Sequence, residues 1–473
     1  MVNHGIYVSR GEPSTSIPTA AESGIPFVIG AAPAHMASAP AKIGVPVLCE
    51  SWEDVEAKLG YSDDWDSFNL SEFAYAYFKL YGCKPVVFCN LFDPATMKTA
   101  VTAADKDVTN HQVVLPGEAI KDSGLTVKAS GGTGAAYVAG TDYEAYYADG
   151  KLIIEALEDG ACYEATSLSV AYNKVAPTQL TAAKVAAGLE NTELCMSATG
   201  HAPDLLCAPG YSGDSAVAAA MALKASGING MFHAKALVDI AADSTGATAL
   251  DNAITYKQAN LADKNEIVCW PMVMKDGRKY HMSTHLAGVM AQTDSGNDGC
   301  PYESPSSKAM ACDAMVLKDG TEVLLSQPQA NKLNAQGIVT GLAILGNLVV
   351  WGNYTACYPT SKAAEEYFIP CARVFDWVGN TLVRTFWSYL DAPVTRRLID
   401  TVVDAANIWL NGLVGAGYLY GARVEAPADE NTVENLLAGI IKVHIYIASP
   451  SPAQEIDVTL EYDSSYVTAA MQL

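Results

Sequence analysis

Long apolar runs, paired cysteines and positive charge are what this chain has least of. No window approaches the ~20 consecutive apolar residues of a membrane span. The longest candidate, residues 337–351, is interrupted by Gly341, Gly346 and Asn347, so no membrane insertion is expected. The eleven cysteines are scattered, odd in number and include no Cys-x-x-Cys pair. That predicts reduced, buried thiols rather than a disulfide framework, and it leaves no local zinc cluster. Only 29 basic residues stand against 52 acidic ones, for a formal charge of −23. Neutralising phosphates requires basic patches, so no direct nucleic-acid contact is expected. The opening Met1-Val2-Asn3-His4 has neither the basic start nor the apolar core of a signal peptide, and no secretory leader is expected.

The chain is also short of complete catalytic motifs. His281-Met282-Ser283-Thr284-His285 would put two imidazoles on one helical face, but Met282 stands where a zinc protease needs its glutamate base. Gly131-Gly132-Thr133-Gly134 lacks the Lys and Ser/Thr of a phosphate loop, and a hairpin turn is the expected role. Gly412, Gly415, Gly417 and Gly421 follow a helix instead of joining a strand to one, the reverse of a dinucleotide fingerprint; helix termination explains them better. Pro209-Gly210-Tyr211-Ser212-Gly213 is one residue short of a nucleophile elbow. No catalytic, cofactor-binding or metal-ligating residue is assigned, no cofactor is expected, and the chain does not read as an enzyme.

What is present is a large apolar fraction, 50%, with 17% charged residues over 473 positions. A chain of this length predicts two to four domains. Buried-strand patterns at Pro26-Phe27-Val28-Ile29-Gly30, Pro85-Val86-Val87-Phe88-Cys89-Asn90, 204–210 and 266–271 alternate with helical stretches at 51–81 and 215–226, which predicts an α/β core. Residues 98–177 are rich in Thr, Val, Tyr, Asp and Gly, with strand-like runs at 125–129, 152–156 and 167–172; an all-β insertion is expected there. The predicted architecture is thus a multidomain α/β (α+β) chain. It comprises an N-terminal arm (1–20), a discontinuous α/β core (21–97 and 178–350), the insertion (98–177), a C-terminal α+β domain (351–448) and a C-terminal strand arm (449–473).

The two ends carry the most telling pattern. After Ser449-Pro450-Ser451-Pro452, the residues Ile456, Val458, Leu460 and Tyr462 fall on one face and Glu455, Asp457, Thr459 and Glu461 on the other. Such period-two alternation predicts a half-buried strand. Gly5-Ile6-Tyr7-Val8-Ser9-Arg10 is a smaller version, with Ile6, Tyr7 and Val8 as its centre. Both ends either pair within their own subunit or serve as arms that complete a sheet in another. The clearest helix, 395–413, gathers Leu398, Ile399, Val402, Val403, Ala406, Trp409, Leu410 and Leu413 on one face. Arg397, Asp400, Thr401, Asp404 and Asn411 lie opposite, with Ile408 among them; that face is a solvated surface or a docking surface.

Several stretches resemble the tail sheath proteins of contractile phage tails and related injection systems. The most specific are Asp376-Trp377-Val378-Gly379-Asn380-Thr381, Pro393-Val394-Thr395-Arg396-Arg397-Leu398-Ile399-Asp400, Asn407-Ile408-Trp409-Leu410-Asn411-Gly412-Leu413 and Gly417-Tyr418-Leu419-Tyr420-Gly421-Ala422-Arg423-Val424. Residues 456–462, the opening Gly5–Val8 and 24–30, and Leu206-Cys207-Ala208-Pro209-Gly210-Tyr211-Ser212 resemble the same family. The resemblance implies a structural subunit that stacks helically around a tail tube. Arms would exchange strands between homo-oligomeric neighbours, and the array would contract from a metastable extended state to drive the tube through an envelope. It implies a tail tube protein, baseplate and tail terminator proteins as partners, an outward-facing insertion, location in a virion tail or headless particle, and synthesis in the bacterial cytoplasm. It also makes the 395–413 helix a candidate tube-facing element, with Arg396, Arg397, Asp400 and Asp404 as contacts. A non-contractile capsid-like or surface-layer protein would use the same arms, and a polymer-degrading enzyme is a third reading.

Overall fold

The computed structural model of the protein describes residues 20–463 and 465–471. Its centre is an eight-stranded sheet ordered Asn347–Trp351, Ile338–Ile344, Glu266–Cys269, Lys235–Asp239, Leu205–Cys207, Pro26–Gly30, Val86–Asn90, Val47–Cys49. The six inner strands run parallel, and an antiparallel strand closes each edge. Successive residues of the inner strands face opposite layers. Phe27 and Ile29 join one apolar cluster, with Val217 and Met221 of helix Ser215–Ala225. Val28 joins the other, with Phe73, Leu286 and Met290 from helices Asn69–Ala74 and Met282–Ser295. Burial on both faces explains why these strands read as unbroken apolar runs and not as alternating ones. The longest apolar stretch, 337–351, is the closing hairpin of this sheet.

The expected helix over 51–81 is instead three pieces: Trp52–Lys58, Asn69–Ala74 and a π-helical turn Tyr75–Leu80. Gly60 ends the first with φ +73°, and a Cβ there would lie 2.4 Å from the Pro33 carbonyl. Ser62 then accepts the Asp64 N–H and Asp64 the Ser67 N–H, in the local turns that compete with a helix.

Strands Lys98–Asp107 and Ser167–Val175 pair antiparallel and carry the chain out of the core sheet and back. Between them two small sheets enclose their own cluster, including Val113, Leu115, Val127, Leu152, Ile154 and Val170. His35 ties this unit to the core by donating from Nε2 to the Gly117 carbonyl at 2.8 Å. The Gly131 stretch is not a hairpin turn. It caps strand Thr126–Ala129 as a short 3-10 turn, with the Gly131 N–H held by Asp105.

Beyond the core come helices Ile369–Phe386 and Arg396–Gly415 and the hairpin Gly421–Glu425/His444–Ala448. The first of these helices is latched to the core by polar side chains on one face. Arg373, itself buried, bonds Asp294 through both terminal nitrogens (3.0 and 2.5 Å) and Asp204 at 2.8 Å. Asp376 meets Lys235 at 2.9 Å, and the Asn380 amide pairs with the backbone of His233. Asp204 also accepts the N–H groups of Gly24 and Ile25.

The two histidines singled out in the sequence take different partners. His281 precedes helix Met282–Ser295 and donates from Nδ1 to Glu72 at 2.8 Å, while Glu72 also accepts the His281 N–H. Burial pulls this imidazole down, but the charges of Glu72 and Asp239 and the Glu72 bond outweigh both burial and nearby Lys318, and it is pushed up to about 9. His285 bonds the Tyr81 hydroxyl, and burial pushes it down to about 3, so it is neutral. No group of three or more metal-ligating side chains occurs among the described residues.

Two stability changes are expected. Arg373→Met strands the buried Asp294 carboxylate and removes a partner of the partly buried Asp204, and should cost about 3–5 kcal/mol in urea unfolding; a loss below about 1 kcal/mol would show the acids to be solvated. The His281–Glu72 pair has its histidine raised above the unfolded value of 6.5. Its contribution is therefore complete below about pH 6.5 and lost as pH rises through about 9. The wild-type advantage over His281→Gln should be about 2 kcal/mol at pH 6 and should shrink above pH 10; an advantage that persists there would contradict the ion pair.

Candidate assembly surface

Among the described residues, the hairpin Gly421–Glu425/His444–Ala448 is a sheet of two strands. Helix Arg396–Gly415 covers one of its faces. Thr395 caps this helix by accepting the Leu398 N–H, and Ala405, Ala406, Trp409 and Leu410 are buried, with Trp409 against Trp377 at 5.5 Å between rings. Leu419 and Val424 belong to the same cluster.

One polar side chain distinguishes the hairpin's two edges. Asn407 accepts the Val424 N–H at 3.0 Å and donates to the Val424 carbonyl at 3.2 Å. Val424 therefore turns its backbone groups away from the partner strand and towards the helix. In an antiparallel pair, opposed residues turn the same way, so Ile445, opposite Val424, and Ile447, opposite Ala422, aim their N–H and C=O groups outward. Among the described residues, the His444–Ala448 edge is consequently the one left with a free ladder.

The C-terminal segment leaves the body nearby. The Pro450 carbonyl accepts from Cys371 Sγ, and Gln454 accepts from the Tyr354 hydroxyl at 2.5 Å. From Glu455 to Asp463 every residue is exposed and none is in a strand. The expected half-buried strand does not form within the chain. Ile456, Val458, Leu460 and Tyr462 stand in solvent, Leu460 at 93% exposure. Alternation creates a face worth burying, but Pro450 and Pro452 carry the segment off its own body before any sheet edge is met. Pairing within the chain is thereby set aside for residues 456–462. Ile6, Tyr7 and Val8 lie outside the described residues.

On helix Arg396–Gly415, Arg396 and Asp400 form an exposed i,i+4 pair at 3.8 Å. Arg397 and Asp404 are exposed on the helix as well, as is Ile408. These side chains sit on the helix away from the buried Ala405–Ala406 and Trp409–Leu410 pairs. Three features had no place in the sequence reading: the Asn407 clamp, the open His444–Ala448 edge, and a helix at Ser465–Met471. In the sequence Asn407 is one more amide at the border of the helix's polar face, with nothing to mark its reach to Val424. The terminal helix was visible in the spacing of Tyr466, Val467 and Met471.

A cleft of about 400 Å³ opens at the carboxyl ends of the parallel strands, beside Glu72, Asp239 and His281. Its buried acids are already engaged. Asp239 accepts from the Ser283 N–H and hydroxyl and from the Ser212 hydroxyl, and Glu72 accepts from His281 and Thr284. These bonds stitch strand Lys235–Asp239 and helix Asn69–Ala74 to helix Met282–Ser295.

No protein-family model matches the chain. The tail sheath protein of Burkholderia phage BcepMu is 26% identical over 98% of this chain and 97% of its own length. A putative prophage major tail sheath protein of Pseudomonas aeruginosa strain UCBPP-PA14 is 24% identical over 57% of this chain and 68% of its own. Among solved structures, the helical sheath of the anti-feeding prophage in its contracted state superposes with a TM-score of 0.59 at 16% identity, covering 97% of this chain and 99% of that one. The contracted sheath complex of an extracellular contractile injection system gives 0.57 at 15% identity, over 98% and 99%. Along nearly its whole length the chain is similar in sequence to a phage tail sheath protein, and its fold is that of solved contractile sheath subunits.

Proposed function

We propose that the chain is the repeating subunit of a contractile sheath, wound helically around a tail tube and shortening to drive that tube through a target envelope. The observation that carries this reading is an apolar-faced arm with nothing to cover it, beside a two-stranded sheet with a free edge, in a full-length relative of a tail sheath protein. A subunit that gives an arm on one side and accepts one on another makes a heterologous contact, and such contacts propagate into open helical arrays. Arms hold neighbours together by backbone bonds while rigid bodies move between two packings. The work of contraction comes from the difference in subunit packing, with no catalytic step. The non-contractile reading draws no support from these likenesses.

Within that role, residues 1–20 and 449–473 act as the arms, and residues 21–97 with 178–350 as the core. Residues 98–177 form the outward-facing insertion, and 351–448 the tube-facing domain. Arg396, Arg397, Asp400 and Asp404 face the tail tube protein; exposed ion pairs of ~0–1 kcal/mol each give a contact weak enough to break on contraction. Baseplate and terminator proteins bound the array in a tail or headless particle, whose subunits are made in the bacterial cytoplasm.

Negative-stain microscopy of the purified full-length chain tests the proposal. Hollow helical tubes are expected. Removing residues 455–473 deletes no buried side chain among the described residues, so it should change monomer stability by less than about 0.5 kcal/mol while abolishing tubes. Tubes that persist after this deletion would defeat the role given to the arm.

A further inference from the structure

The segment after the arm strand is a helix, Ser465–Met471, which begins three residues after Tyr462. Asp463 accepts the Ser465 N–H and starts it. On a 100° wheel Tyr466, Val467 and Met471 share one face, and all three are exposed. A helix of this length is marginal in water unless its apolar face is packed. Among the described residues its own body offers it no cover, because those three side chains remain in solvent.

A matching apolar surface lies in the 426–443 connection between the hairpin strands. Helix Val433–Leu437, capped by Thr432, exposes Val433 and Leu437, and Ile440 beside it is also exposed. The Asn431 side chain holds this connection against Lys442, next to His444, by bonds to the Lys442 N–H and carbonyl. The patch therefore sits at the Glu425/His444 end of the hairpin. At the opposite end, Gly421/Ala448, the chain's own arm departs through Ser449 and Pro450.

We infer that the terminal helix of a neighbouring copy seats on Val433, Leu437 and Ile440, after its 456–462 segment has added antiparallel to the His444–Ala448 edge. This rests on the sheath reading and specifies its edge and direction. Asn407 occupies the backbone of Val424 on the other strand, leaving Ile445 and Ile447 as the free ladder. An antiparallel strand on that edge runs from the Ala448 end to the His444 end. Two residues, 463 and 464, then span at most about 10 Å to the helix, so it must dock where the strand finishes. A parallel strand would finish at the Ala448 end, against the departing arm of the receiving copy. The second copy is the fitting occupant, because it supplies a short apolar helix tethered to the strand that reaches this edge.

Cysteine pairs in the full-length chain test the seat. Leu437 and Met471 are 84% and 78% exposed, so Leu437→Cys with Met471→Cys should leave folding intact. Oxidation of assembled tubes should convert most of the double variant into a ladder of linked subunits on a denaturing gel. Each single variant, and the wild type with its own cysteines, should remain largely monomeric. Tyr420→Cys with Met471→Cys probes the other end of the hairpin and should link weakly. Tubes that form while the Leu437/Met471 pair stays unlinked would overturn the seat alone, and linkage through Tyr420 would move the helix to the far end. A wild-type chain that forms no tubes would instead defeat the sheath reading, and the seat with it.

Discussion

The structure turns on the buried guanidinium of Arg373. It joins helix Ile369–Phe386 to Asp294 of one core helix and to Asp204 at the start of a core strand. A buried ion pair is a weak source of net stability, because desolvation offsets much of the attraction. Its geometric demand is strict, since displacing any member leaves a buried charge unpaired. The same helix holds the roots of both terminal segments. Trp377 donates to the Ala21 carbonyl and Thr381 accepts the Ala21 N–H, while Cys371 meets the Pro450 carbonyl. Through Asp204, the guanidinium also fixes Gly24 and Ile25. One helix thus anchors both Ala21 and Pro450, and Arg373 sets where that helix lies.

From this joint outward the fold is unfinished in a specific way. The core sheet closes both edges with antiparallel strands, and its apolar faces are covered by helices. Among the described residues, the C-terminal hairpin closes neither edge with a strand, although Asn407 shields part of one. An open edge invites uncontrolled pairing. In the proposed array the complementary strand is carried by the chain, as the segment whose apolar residues alternate with Glu455, Asp457 and Glu461 and which two prolines lead away. Those carboxylates keep the unpaired arm soluble and disfavour stacking of like arms. In the proposed array each subunit completes its neighbour, and rigid cores are free to change packing while the strand bonds persist.

Much of this was legible where one periodicity dominated. The 395–413 helix is present as Arg396–Gly415, and the apolar runs at 26–30 and 86–90 are the centre of the parallel sheet. The 456–462 alternation was read as a half-buried strand, yet these residues stand exposed and outside any strand, because whether the chain buries such a face is a long-range matter that spacing does not encode. The break at Gly60 escaped because its cause is the distant Pro33 carbonyl. No spacing or motif in the sequence marks Arg373, and only its partners, 79 and 169 residues away, reveal its role. The open edge at His444–Ala448 depends on one amide, Asn407, reaching back to Val424, a tertiary contact with no local signature.

The central claim is that the C-terminal segment of one subunit becomes a strand in the next. Cryo-electron microscopy of the assembled chain at a resolution that shows the backbone tests it most directly. The account predicts residues 456–462 of each copy hydrogen-bonded along the His444–Ala448 edge of its neighbour. A sheath in which those residues fold back on their own subunit, or remain unpaired in solvent, would contradict it.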